Sequence, residues 1–129
     1  MANQAMPSAR VFRTAWFSKA AKKAHIGDLE LCSAVHQAML GQADDLGGGV
    51  FKKRLGRNLY RSIVLARGGR FWVYVYLFAK KDRANIEDAE LREFRALASL
   101  YARKTDSDVE KELKLKELVE ICHEPESQI

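Results

Sequence analysis

Nowhere does this 129-residue chain run to the roughly 18 consecutive apolar residues that a membrane-spanning helix needs, so no transmembrane segment is expected. Met1 to Ala9 hold no apolar stretch of the kind that forms a signal-peptide core, which predicts a cytoplasmic chain. Cysteine is scarce: Cys32 and Cys122 belong to no CxxC pair, and His25, His36 and His123 form no HxxxH or His/Cys grouping. That argues against zinc, and neither a metal nor a cofactor is expected. In a reducing compartment the two cysteines read as free thiols buried as small hydrophobes, not as a disulfide. No Ser/His/Asp or paired-carboxylate arrangement stands out. The glycines of GQADDLGGG, Gly41 to Gly49, lack the Lys-Ser/Thr pair of a phosphate loop and the GxGxxG of a dinucleotide fold, so the stretch reads as a flexible connector.

Acid is nearly missing where base is dense. Between Val50 and Arg83 stand Lys52, Lys53, Arg54, Arg57, Arg61, Arg67, Arg70, Lys80, Lys81 and Arg83 against Asp82 alone, a segment charge of +9. Residues 1–49 carry +1 and residues 87–129 carry −5, so the net +5 of the chain comes from this one segment. Cations fixed on a folded segment call for a polyanion, and nucleic acid is the commonest one. The length and the 47% hydrophobic content suit one domain with its own core.

After ten N-terminal residues without periodicity, RVFRT (Arg10 to Thr14) alternates like an edge strand. Trp16, Phe17, Ala20, Ala21 and Ala24 then recur at helical spacing opposite Lys19, Lys22 and Lys23. Gly27 interrupts, Asp28 is placed to cap, and Leu31, Val35, Ala38 and Met39 give a second helical stripe, predicting two helices in a hairpin. Three strands follow, Val50–Leu55, Tyr60–Arg67 and Arg70–Ala79, joined by the loop 56–59 and the pair Gly68-Gly69. A helix starting at Asn85 or Asp88 carries Ile86, Leu91, Phe94, Leu97, Ala98 and Tyr101. Beyond Thr105 the chain is acidic, with a short capped helix and a possible strand at Leu118–Cys122. The fold class is α+β, and the organisation expected is a domain over 1–104 with an extension over 105–129.

Strand pairing turns this into a prediction about faces. The loop at Gly56 pairs Leu55 with Tyr60, hence Arg54 with Arg61 and Lys52 with Ile63. A two-residue turn at Gly68-Gly69 pairs Arg61 with Tyr76, Ile63 with Tyr74 and Leu65 with Trp72. Alternation then puts Lys52, Arg54, Arg61, Trp72, Tyr74, Tyr76 and Phe78 on one face. Phe51, Leu55, Tyr60, Ser62, Val64, Ala66, Phe71, Val73, Val75 and Leu77 fall on the other, as the core beneath the helices. Arg54 facing Arg61 is costly unless an anion bridges them. Together with Lys53, Arg57, Lys80 and Arg83, the rings of Tyr74 and Tyr76 would suit unpaired RNA bases. The bland alternative is a solvated basic face.

The order strand, two helices, three hairpin-linked strands, helix resembles the RelE/ParE superfamily of toxin–antitoxin toxins. VFKKRL at Val50–Leu55, LYRSIV at Leu59–Val64 and LFAKKDRANI at Leu77–Ile86 carry the likeness, and TAWFSKAAKKAHI and LGGGVFKKR are most similar to the RelE/HigB-type subgroup. The likeness spans roughly Arg10 to Lys104. It implies a ribosome-dependent, metal-independent endoribonuclease, an mRNA interferase that arrests translation and is neutralised by a cognate antitoxin, expected to be a helix-turn-helix protein. The partners it implies are this antitoxin and mRNA on the ribosome. By position it implies catalytic roles for Lys52, Arg54, Arg61 and Lys81: arginines clamping phosphate oxygens, Lys52 as base, Lys81 as acid. The family commonly keeps a tyrosine beyond the end-of-sheet motif. Glu87 stands there instead, leaving Tyr76, Glu87 or Asp82 as substitute bases. A ParE-like toxin that binds a protein such as gyrase, or a non-catalytic RNA-binding module, are the alternatives. An antitoxin helix or strand is expected to cover the basic sheet with acidic side chains, and the acidic tail from Thr105 to do some of this in cis.

Overall fold

Thr14 turns the first strand into the first helix. Its hydroxyl accepts the Phe17 N–H at 3.1 Å, so β1 (Arg10–Thr14) runs directly into α1 (Ala15–Lys23) in a computed structural model that describes residues 9–123. The expectation for residues 1–8 lies outside the described residues. Gly27 is the N-cap of α2 (Asp28–Met39); Asp28, expected to cap, lies in the first turn and accepts from Arg13 Nε at 3.1 Å. Then come β2 (Asp44–Asp45), β3 (Val50–Leu55), β4 (Tyr60–Leu65), β5 (Phe71–Ala79), α3 (Asp88–Ala102), α4 (Asp106–Lys114) and β6 (Leu118–Ile121).

The six strands form one sheet in the order β2-β3-β4-β5-β1-β6. β1 runs parallel to β5 and every other neighbouring pair is antiparallel. β1 is therefore an inner strand and not the expected edge, because β6 returns to cover its outer side, pairing Val11 with Ile121 and Thr14 with Leu118. The Gly41–Gly49 connector is more built than expected, since it carries β2. Gly49 sits at φ +85°, and a Cβ there would meet the Arg67 backbone at 2.6–2.7 Å, so the closing glycine serves a close chain crossing.

Both faces of the sheet are buried. Phe17 and Ala21 of α1 and Leu31, Val35 and Ala38 of α2 cover Val11, Leu55, Val64, Trp72, Tyr74 and Leu77. On the other face Ala98 and Tyr101 of α3 and Val109 of α4 cover Phe12, Val50, Ile63, Leu65, Phe71, Val73 and Val75. This corrects the expected division of β5. The register runs Arg61↔Phe78, Ser62↔Leu77 and Ile63↔Tyr76, then jumps to Val64↔Tyr74, leaving Val75 as the extra residue of a bulge. A bulge inverts the alternation of everything before it. Trp72 and Tyr74 thus belong to the α1/α2 core, while Phe71, Val73 and Val75 move beneath α3 and α4.

The C-terminal segment is tied to the far edge of the sheet. Arg10 binds Glu120 at 2.8 Å, Glu110 at 2.9 Å and Asp106 at 3.1 Å, and Asp106 also lies 3.7 Å from Arg70. Those carboxylates are spent on β1 and the start of β5, so Asp106, Glu110 and Glu120 do not cover β3 and β4 in cis; Glu124 and Glu126 of the same tail lie outside the described residues. Hydrogen bonds from Arg10 hold the Glu120 carboxyl below the usual carboxylate range.

Just past β6, Cys122 is bonded to Cys32 of α2, with Cα atoms 5.4 Å apart. The expected free thiols are instead a disulfide, because β6 pairing brings the end of the chain over α2. The bond closes a loop of sequence separation 90, so Cys122→Ser should lower the unfolding free energy by about 2–4 kcal/mol. Denaturant unfolding without reductant checks this; adding reductant should bring the wild type to the variant.

Candidate functional site

Along β3 and β4 one face changes from core to surface in three steps. On β3, Val50 is buried beneath α3, Lys52 has a side chain 16% exposed, and Arg54 is open to solvent. On β4, Leu65 and Ile63 are buried and Arg61 is half-buried. The register pairs Arg54 with Arg61 and Lys52 with Ile63, as the loop at Gly56 predicts. Two arginines thus face each other where α3 no longer covers the sheet.

Their partners differ. Arg61 Nη1 donates to the carbonyls of Asn58 and Tyr60, both at 3.1 Å, which aims the guanidinium along the β3–β4 loop. Among the described residues Arg54 has no hydrogen-bond or ion-pair partner, and no carboxylate pairs with Arg61. Lys52 Nζ lies 3.3 Å from Asn85 Oδ1 and 3.8 Å from Asp44 Oδ2. Both neighbours are acceptors. Lys53 Nζ donates to the Gln42 carbonyl at 2.7 Å, and Arg57 sits exposed at φ 56° in the loop.

At the end of β5 the structure separates the remaining candidates. Lys80 and Lys81 are exposed. Arg83 forms a two-bond pair with Glu90 at 2.6 and 3.1 Å and also donates to the Tyr76 hydroxyl at 3.1 Å. The Arg83 contact drives the Glu90 carboxyl down, and Glu90 in turn pushes the guanidinium higher still, so this cation is already internally neutralised. Tyr76 pairs with Ile63, and Phe78 takes the place beside Arg61 that the sequence assigned to Tyr76. The Tyr76 ring stacks on Trp16, centroids 5.1 Å apart, at one wall of an open groove of about 670 Å³ between α1 and the end of β5. Lys19, Lys23, Lys81 and Asp82 also line that groove.

Tyr74 is a correction. It is fully buried and donates its hydroxyl to the Leu31 carbonyl at 2.6 Å, so it is a core residue and not an RNA contact. Glu87 is the N-cap of α3, its N–H bonded to Glu90 Oε1 at 2.7 Å. Sequence reasoning missed Asp44, Asn85 and Trp16 as neighbours of these groups. The two-aspartate run beside three glycines was the one visible signal for the first.

A family model described as the RelE toxin of the RelE/RelB toxin–antitoxin system matches residues 9–121, which includes β6. No curated protein matches the sequence.

Proposed function

The chain belongs to the RelE toxin family, a toxin of a toxin–antitoxin system with an antitoxin as partner, and from that premise we propose that it is a metal-independent endoribonuclease that cuts mRNA on the ribosome. The observation that carries this reading is the Arg54–Arg61 pair: two arginines at directly paired positions of β3 and β4, with no carboxylate on either among the described residues. Like charges at paired positions destabilise an empty sheet, and a phosphate between them removes the penalty while receiving bonds from both.

The chemistry follows from where charge develops. The 2′-hydroxyl of one nucleotide attacks the adjacent phosphorus, and the phosphorane-like transition state carries extra negative charge on its non-bridging oxygens. Arg54 and Arg61 bind those oxygens, each able to hold two at once. Lys52, kept between Asn85 and Asp44, adds a third cation. Lys81, exposed beyond β5, gives a proton to the departing 5′-oxygen. Lys53, Arg57 and Lys80 track the backbone on either side, and Arg83 holds Tyr76 in place. The antitoxin, proposed to be a helix-turn-helix protein, brings acidic side chains to the same strands, and the toxin acts in the cytoplasm.

The test is induction of wild type beside Arg61→Ala, with growth and mRNA integrity followed together. Toxicity with cut transcripts, both lost in the variant, is expected. Equal toxicity and intact mRNA in both would refute the nuclease. DNA damage without translation arrest would mark a ParE-like toxin, and binding without cleavage an RNA-binding module.

A further inference from the structure

The nuclease reading leaves the 2′-hydroxyl proton without an acceptor, and the geometry points to Asp44 as the general base. β2 is only two residues long, yet its register is fixed: Asp44 pairs with Lys52 and Asp45 with Phe51. Directly paired residues in a sheet share a face. Asp44 therefore lies on the face of Lys52, Arg54 and Arg61, in the row Asp44–Lys52–Ile63–Tyr76 that runs beside the row Arg54–Arg61–Phe78. Asp45 points to the opposite face, and its carboxylate accepts the Gly47 N–H at 2.9 Å, holding the turn.

Asp44 and Arg54 line one polar hollow of about 370 Å³ together with Lys52 and Lys53. Among the described residues Asp44 has the only carboxylate within 4 Å of any of the cations Lys52, Arg54 and Arg61, its Oδ2 being 3.8 Å from Lys52 Nζ. It is 68% exposed, so a nucleotide can reach it. The other candidates are committed elsewhere. Glu87 is the N-cap of α3, the Tyr76 hydroxyl accepts from Arg83, and among the described residues Asp82 lies within 4 Å of none of the three cations. The groups that face Asp44 are Lys52 from β3 and, lining the same hollow, Lys53 and Arg54. All three are cationic, and Asp44 is the carboxylate set among them.

The step balances with groups already named. The Asp44 carboxylate takes the 2′-hydroxyl proton as the 2′-oxygen bonds to phosphorus. The bond from phosphorus to the 5′-oxygen breaks, its electron pair leaves with that oxygen, and Lys81 supplies the proton. One product ends in a 2′,3′-cyclic phosphate and the other in a 5′-hydroxyl. This assignment rests on the nuclease reading.

Single-turnover cleavage of an mRNA bound to programmed ribosomes, measured against pH for wild type, Asp44→Asn and Asp45→Asn, tests it. Asp44→Asn should cleave about 10²–10⁴-fold more slowly and lack the acid-side fall in rate expected of wild type. Asp45→Asn makes the same charge change on the other face and should cleave at the wild-type rate. Asp44→Asn within about threefold of wild type, or slower with the acid-side fall intact, overturns the base assignment and leaves the nuclease standing. A wild-type chain that leaves mRNA whole overturns both.

Discussion

Arg61→Ala should reduce single-turnover mRNA cleavage by about 10²–10³-fold, the loss seen when one donor to a developing oxyanion is removed. Arg54→Ala should fall in the same range, because the two residues are paired in register and on the proposed reading hold one phosphate. Since they share that target, the double variant should lose less than the product of the single effects. Arg61→Lys should recover only a small part, because an ammonium cannot make the two parallel bonds of a guanidinium. The same substitutions should leave the fold intact or slightly firmer: removing one of two facing like charges relieves about 0.2–1 kcal/mol of repulsion. Opposite movement of rate and thermal midpoint is what separates an anion site from a structural pair. A fall in both would show the arginines to be holding the sheet together.

How far the sequence reached is clearest from the two hairpins. At β3–β4 the four-residue loop, with Gly56, Arg57 and Asn58 all at positive φ, set the register that brings Arg54 to Arg61. At β4–β5 the same arithmetic failed. The strands stop at Leu65 and restart at Phe71, and Val75 bulges out. No pattern marks that bulge, because every residue from Phe71 to Phe78 is apolar or aromatic, and a strand buried on both faces loses the contrast between alternate positions. The second covered face was hidden for the same reason, and with it the rim position of the cations, which depends on where α3 ends its cover. Cys32 and Cys122 meet through β6 pairing with β1, a contact between chain ends that local composition cannot reveal. Asp44 was legible only as a loop residue. Its chemistry comes from the strand it joins.

Tyr74→Ala should cost about 3–5 kcal/mol, the usual range for deleting a fully buried ring. The ring packs on Phe17 with centroids 4.9 Å apart, and its hydroxyl ties β5 to the Leu31 carbonyl of α2. Tyr74→Phe keeps the ring, and the Leu31 carbonyl retains its place in the helix ladder, so about 1 kcal/mol should be lost. Cleavage per folded molecule should be unchanged in Tyr74→Phe, which distinguishes a core tyrosine from one that stacks on RNA. The ionisation of this hydroxyl supplies a third readout. Burial first, and then the Glu30 charge, push Tyr74 far above the ordinary tyrosine range, and burial does the same for Tyr101 beside Glu112. Above a pH of about 10 the unfolded chain releases both protons while the folded chain keeps them. The native state then holds more protons than the unfolded state, so stability falls as pH rises, by about 1.4 kcal/mol per pH unit for each buried tyrosine. Below that pH both states keep their protons and the two groups add no slope. Urea unfolding between neutral pH and 11 should therefore show a steep alkaline loss in the wild type and about half of it in Tyr74→Phe, where only Tyr101 still titrates late. An unchanged alkaline slope in that variant would mean that Tyr74 meets solvent.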